Sequence, residues 1–331
     1  MRREDVRRAL AAPPLPEPER QWSRVRARLR SGAGATHVSL PLALAAAAAA
    51  LVLGVGTGVY RQFAAPTQWL ADGASVALDT TWLETADDSL RLNVGRIGHV
   101  TLAPGARARL RRGAWNEHRL ALARGSMEAV IAAPPRLFFV ETPTALATDL
   151  GCAYRLEVAA DGATTLHVSV GWVELAKDGR RSVVPAGLTA RVDANGVPGV
   201  PYDPALPADA IAALDRVLHA GDASPDAADL ALILAALDSA DRRAPANIRR
   251  QTSGITLWHL LQRVKGQGRE AVTVALEQRA ARPAAVTREG ILTLDRQMLD
   301  RWRRSLHPMW GETDGPLWVV AAQRIWLWVM D

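Results

Sequence analysis

Polar and apolar positions along the chain fall into successive patterns, each with its own period. Between His37 and Arg61 runs an uncharged stretch, VSLPLALAAAAAALVLGVGTGVY, residues 38–60. A helix of that length reaches across a hydrocarbon core of about 30 Å, so the stretch predicts a single transmembrane helix. From about Leu90 to Val192 the period becomes two. The runs LRLNV, HVTLA, RARLR, HRLALA, MEAVI, LFFVE, YRLEVA, TLHVSV and WVELA alternate inward and outward positions between Gly, Pro, Asp or Asn. Short, closely spaced strands predict an all-β domain: sandwich, roll or solenoid. Near Pro201 the spacing turns helical. Ile211, Leu214 and Leu218 fall on one face, followed by DAADLALILAALDSA, GITLWHLLQRV, REAVTVALEQRA and DRQMLDRWRRSL, with Pro225, Pro245 and Pro283 as punctuation. These segments predict a small all-α domain of stacked helix pairs. The closing run PLWVVAAQRIWLWVM is too short to span a bilayer and contains Arg324; it reads as a helical cap or as an interfacial segment.

The expected organisation is a basic tail (1–37), the span (38–60), a linker with first β elements (61–89), a β domain (90–200), an α-helical domain (201–310) and a Trp-rich end (311–331). Charge gives the expected direction of insertion. The chain carries a net +6, and residues 1–37 hold nine Arg against four acids, so +5 lies in the tail and +1 in the rest. Arg61 is the only base between the span and Arg91. Cytoplasmic flanks are enriched in Lys and Arg, which puts the N-terminus inside and the bulk in the periplasm of a bacterial inner membrane. A cleaved signal peptide fits less well, because the basic region is long and FAAPT after Arg61 is a poor cleavage site. With +1 outside the tail, no basic face for nucleic acid is expected.

Within the tail, PPLPEPE is a stiff linker and QWSRVRARL a helix. Trp22, Val25 and Leu29 form one apolar stripe among arginines, Arg26 included. The stripe suits an anionic lipid surface or a cytoplasmic partner, and the residues alone do not choose. In the span, Gly54 and Gly58 have the small-xxx-small spacing of close helix pairs, which an Ala/Gly-rich run also produces by chance.

Chemistry is sparse. The single cysteine, Cys152, rules out an intramolecular disulfide and reads as a small buried residue. The seven histidines are scattered, with no metal-ligand spacing, and no nucleophile elbow, phosphate loop or dinucleotide fingerprint occurs. His118 and His167 alternate with apolar neighbours and are expected on a solvated sheet face; His259 is expected to pack a helix. No catalytic residue, metal or cofactor is predicted.

The β region nevertheless carries an ordered set of motifs: Leu102, Pro104 and Gly105; Arg124 and Gly125; Phe139, Val140 and Thr142; Leu150, Gly151 and Val158; Val170, Gly171 and Val173; Ala186 and Gly187. The set resembles the FecR-domain family over residues 90 to 192. Cys152 stands where the family usually has Thr, and residues 127–131 lack its usual Phe. The resemblance implies a short β-solenoid or roll outside the inner membrane. It also implies a regulator that holds an ECF-type sigma factor through its cytoplasmic segment and senses a periplasmic or outer-membrane protein. Trp22, Val25, Arg26 and Leu29 would then be the sigma-factor contact. The alternative is an envelope-anchored, non-enzymatic scaffold that binds protein or polysaccharide. The tail here is shorter than the family's, and the helical region differs from the α/β partner domain of its best-known members.

Overall fold

The structure is a computed structural model and describes residues 68–310 apart from 72, 115–116, 134, 220–225 and 244–248. The chain divides into two compact units, Met1–Tyr60 and Arg61–Asp331, and the described residues belong to the second.

Fourteen strands form one mixed sheet: β1 (Trp69–Ala71), β2 (Ala74–Ser75), β3 (Leu83–Glu84), β4 (Leu90–Val94), β5 (Gly98–Leu102), β6 (Arg107–Arg112), β7 (His118–Ile131), β8 (Phe138–Glu141), β9 (Leu146–Asp149), β10 (Ala153–Val158), β11 (Thr164–Val170), β12 (Trp172–Lys177), β13 (Arg180–Pro185) and β14 (Thr189–Val192). The sheet has two halves joined by the long strand β7. One half runs β2-β1-β4-β5-β7-β10-β11-β14, the other β3-β6-β7-β8-β9-β12-β13. The runs HRLALA and MEAVI, which read as two strands, are one strand. Its N-terminal part pairs with β6 and β8 and its C-terminal part with β5 and β10.

The parity of β7 changes at that junction. His118, Leu120 and Leu122 point inward, then Met127, Ala129 and Ile131 do. An extra residue makes the switch: Ala108 faces Leu122 while Arg107 faces Arg124, a bulge that leaves Ala123 unopposed. Gly125 follows with φ +84, and a Cβ there would lie 2.6 Å from the Ala106 Cα. Only glycine fits both the backbone and the space.

The family-like glycines share one structural job. Gly105, Gly151, Gly171 and Gly187 lie, like Gly125, where the chain passes from one half of the sheet to the other. Two of these crossings touch, since a Cβ on Gly171 would come within 2.2 Å of the Gly151 carbonyl oxygen. The motif Thr142 closes the β8–β9 turn: the Ala145 amide donates to its hydroxyl at 2.9 Å. Inward side chains of both halves belong to one apolar cluster that includes Leu92, Leu102, Met127, Leu156, Val173 and Val184.

The expected fold class is corrected by this topology. A solenoid stacks successive coils through parallel pairing, whereas every strand pairing here except β7–β8 is antiparallel. Period-two sequence looks the same in both architectures, because it reports one buried face and not the partner strand. In place of a transmembrane helix followed by a solenoid, the described residues form a mixed sheet followed by helices. Among them no helix is long and apolar enough to cross a membrane. The expected span, residues 38–60 with Gly54 and Gly58, lies outside the described residues.

The helices are α1 (Ala208–His219), α2 (Ala227–Arg243), α3 (Arg249–Leu261), α4 (Gly266–Arg279), α5 (Arg288–Leu292) and α6 (Arg296–Trp310). On α1 the buried stripe is Ala210, Ala213, Leu214 and Val217, with Ile211 and Leu218 at its margins. Arg279 ties α2, α3 and α4 together: its guanidinium donates to Asp238 at 2.5 Å, Asp241 at 2.8 Å and the Ser253 hydroxyl at 3.0 Å. Trp258 and Trp302 meet edge to face at 6.0 Å between α3 and α6. Several bonds fasten the helices to the sheet side, Arg191 on β14 with Asp215 on α1 at 3.3 Å among them. Thr256 on α3 donates to the Pro201 carbonyl at 2.8 Å, and His219 on α1 bonds Asp193 beyond β14 at 2.8 Å.

Candidate functional site

Along β12 and β13, Val173, Leu175, Ser182 and Val184 turn toward the core, so Trp172, Glu174, Arg181 and Val183 lie on the opposite face. Helices α3 and α6 stand against that face and leave a cleft of about 1310 Å³. Its floor is partly apolar, with Trp172, Val183, Ile255, Trp258 and Leu299.

Its charge is one-sided. The sheet wall contributes Arg136, Arg180 and Arg181, the helical wall Arg263, Lys265, Arg296 and Arg303, against the two carboxylates Glu174 and Asp300. Glu174 is 8% exposed and is shared: Arg136 and Arg181 each place a nitrogen 3.7 Å from its Oε2. Neither Arg180 nor Arg263 forms an ion pair among the described residues. They act on each other instead: burial, and after it the Arg180 charge, lowers the Arg263 pKa. His259 is held neutral, its pKa depressed to about 3 by burial and by Arg263 and Arg303, against the opposing effect of a hydrogen bond to the Val183 backbone. At neutral pH it therefore adds a hydrogen-bonding ring and no charge.

The near-neutral charge outside the tail gave no sign of this cleft. Net charge averages over the surface, and cations from the β7–β8 connection, from β13, from a loop between helices and from α6 have no common spacing in sequence. Only the partly apolar helix run LWHLLQRV hinted at a wall, and it carried no sign of what faces it.

The other expected residues separate as follows. Trp22, Val25, Arg26 and Leu29 lie outside the described residues. His167 sits half-buried on the outer face, 3.0 Å from the Thr189 hydroxyl. His118 does not: it is 3% exposed, and neither ring nitrogen has a hydrogen-bond partner. It follows the parity of Leu120 and Leu122 into the core, and burial lowers its pKa to about 4. Cys152 is buried, with its Sγ donating to Asp149 at 2.7 Å. The thiol thus fills a donor role that a threonine hydroxyl would also fill. Tyr154, fully enclosed nearby, has its pKa raised by burial and then by Asp149 and Cys152. Among the described residues no group of three or more metal-ligating side chains converges.

No family model matches the chain, and no curated protein does. Among solved structures, two crystal structures of a candidate anti-sigma factor from Parabacteroides distasonis are similar in part. Each shows 15% identity and a TM-score of 0.33 over 41% of this chain, and the match covers 64% of one and 65% of the other. The chain thus spans just under two thirds of the length of those proteins.

Proposed function

We propose that the chain is a signal-transducing regulator of anti-sigma type. In this reading residues 19–30 hold an ECF-type sigma factor through Trp22, Val25 and Leu29, with Arg26 meeting acidic partner surface. The sheet and helices receive the signal from a periplasmic or outer-membrane protein, and release of the sigma factor is the output. The reading assigns the chain no chemical step and no cofactor. It places the protein at a bacterial inner membrane with the tail inside, on the strength of the Arg asymmetry around residues 38–60.

The observation that carries it is the coincidence of motif and topology. The FecR-like glycines occur in family order and form the crossings of a single two-part sheet. A chance match to short motifs would scatter them over unrelated turns.

The test is affinity capture of the full-length chain from its host. Capture is expected to bring down a sigma factor from the wild type and to lose it with Trp22→Ala and Leu29→Ala. Equal recovery from all three proteins would sink the proposal. The cleft favours a second reading, an envelope-anchored binding protein whose tail serves only topology. That reading gains if deletion of residues 1–36 leaves partner recovery unchanged.

A further inference from the structure

We propose that the cleft between β12–β13 and α3–α6 is a binding site for a small, multiply charged oxyanion: a ligand bearing two or more phosphate or carboxylate groups on a partly apolar body.

Six of the seven cations lining the cleft are arginines. The guanidinium is a planar fork of donors that pairs carboxylate or phosphate in two-point fashion, which a lysine ammonium cannot do. Two carboxylates share the lining, and one of them, Glu174, already spans two arginines. That sharing holds Arg136 and Arg181 in place and leaves donors of both to point elsewhere. Arg180 and Arg263 come from different walls of the cleft, and the Arg180 charge adds to burial in lowering the Arg263 pKa. Like charges held together lower stability, a cost that a bound counter-charge relieves.

The clustering is local. Outside the tail the chain is nearly neutral, so seven cations in one cleft are a concentration of charge and not a sample of a basic surface. Trp172 on the sheet wall is partly exposed beside the charges, and the nearly buried Trp258, fixed against Trp302, backs the helix wall. Ligand pockets commonly measure roughly 300–1,000 Å³, and this cleft is of that order and somewhat larger. A small polyanion with a carbon framework matches all of these features. The inference stands apart from the sigma-factor reading: one concerns the cleft and the other the tail, and each is measured separately.

The experiment is calorimetric titration of the full-length protein, at about 0.15 M salt to screen diffuse attraction, with two probes: inorganic tripolyphosphate and benzene-1,3,5-tricarboxylate. Saturable one-to-one binding of either is expected, and the preferred probe distinguishes phosphate from carboxylate chemistry. Arg180→Gln and Arg263→Gln, each removing a charged hydrogen bond, are expected to weaken binding by about tenfold or more. Arg91→Gln, on β4 away from the cleft, is expected to leave it unchanged. Arg180→Gln is also expected to raise the melting temperature of the anion-free protein, because a repulsion is removed. The proposal is overturned if neither probe binds, or if Arg180→Gln and Arg263→Gln bind as the wild type does. It is also overturned if binding disappears only when Arg24 and Arg26 of the tail are changed to Gln, or if Arg180→Gln lowers the anion-free melting temperature.

Discussion

His118 shows how much one buried residue can decide. The strand periodicity that commits Leu120 and Leu122 to the core commits His118 with them, and the structure supplies neither ring nitrogen with a partner. Burying an imidazole this way favours its neutral form, which explains a pKa of about 4 against an ordinary 6.5. The folded state then binds the proton less readily than the unfolded one. As pH falls from 6.5 toward 4 the unfolded state gains the proton first, so stability is lost across that window, by on the order of 2 to 3 kcal/mol. His259 acts in the same direction. His219 opposes them: its raised pKa, from the Asp215 carbonyl and then Asp193, stabilises at low pH and fades as pH rises through it. Exposure to solvent keeps that contribution small. His118→Leu is expected to raise stability at neutral pH by about 1–3 kcal/mol, since it removes two unpaired buried polar atoms. It is also expected to flatten the loss between pH 6.5 and 4. Chemical denaturation across that range checks both. The burial of this histidine was legible in the run itself, since His118 shares the parity of Leu120 and Leu122 while Arg119 takes the other face.

At the scale of elements, most of the longer strands were legible and their partners were not, and β9, β13 and β14 went unread. Nine runs read as strands do fall in strands, because alternation reflects one buried face. The bulge at Ala123 left a trace only as a change of parity between HRLALA and MEAVI, and a parity change also marks the end of a strand. What the sequence could not disclose is that β7 continues through it and serves both halves of the sheet. Gly125→Ala is expected to destabilise by at least about 1–2 kcal/mol from the left-handed backbone alone, with the Ala106 contact adding to it. Thermal unfolding measures the change; a variant as stable as the wild type would contradict the assigned bulge. Among the helices, burial of Arg279 between Asp238, Asp241 and Ser253 predicts a loss of about 3–5 kcal/mol for Arg279→Leu, because two acids and a hydroxyl lose their shared donor. The double change Asp241→Leu with Arg279→Leu is expected to recover part of that loss in denaturant titration. Helical spacing announced each of these helices, but not this knot, since its bonded partners lie 12 to 41 residues apart.

For the whole molecule, a two-part sheet with a helical layer and a basic cleft forms the described body, and a short arginine-rich tail precedes it in the chain. The glycines among the family-like motifs mark the crossings of the sheet, which the motifs by themselves did not disclose. Fold class was misread where it depended on how strands pair, and the cleft was invisible because its charges come from four separate segments. The proposed division of labour is that the body receives and the tail delivers. The measurement that tests this most directly is a two-hybrid assay of residues 1–37 against each ECF-type sigma factor of the host. The account predicts a specific interaction that Trp22→Ala abolishes. A well-expressed tail that engages none of them would contradict it.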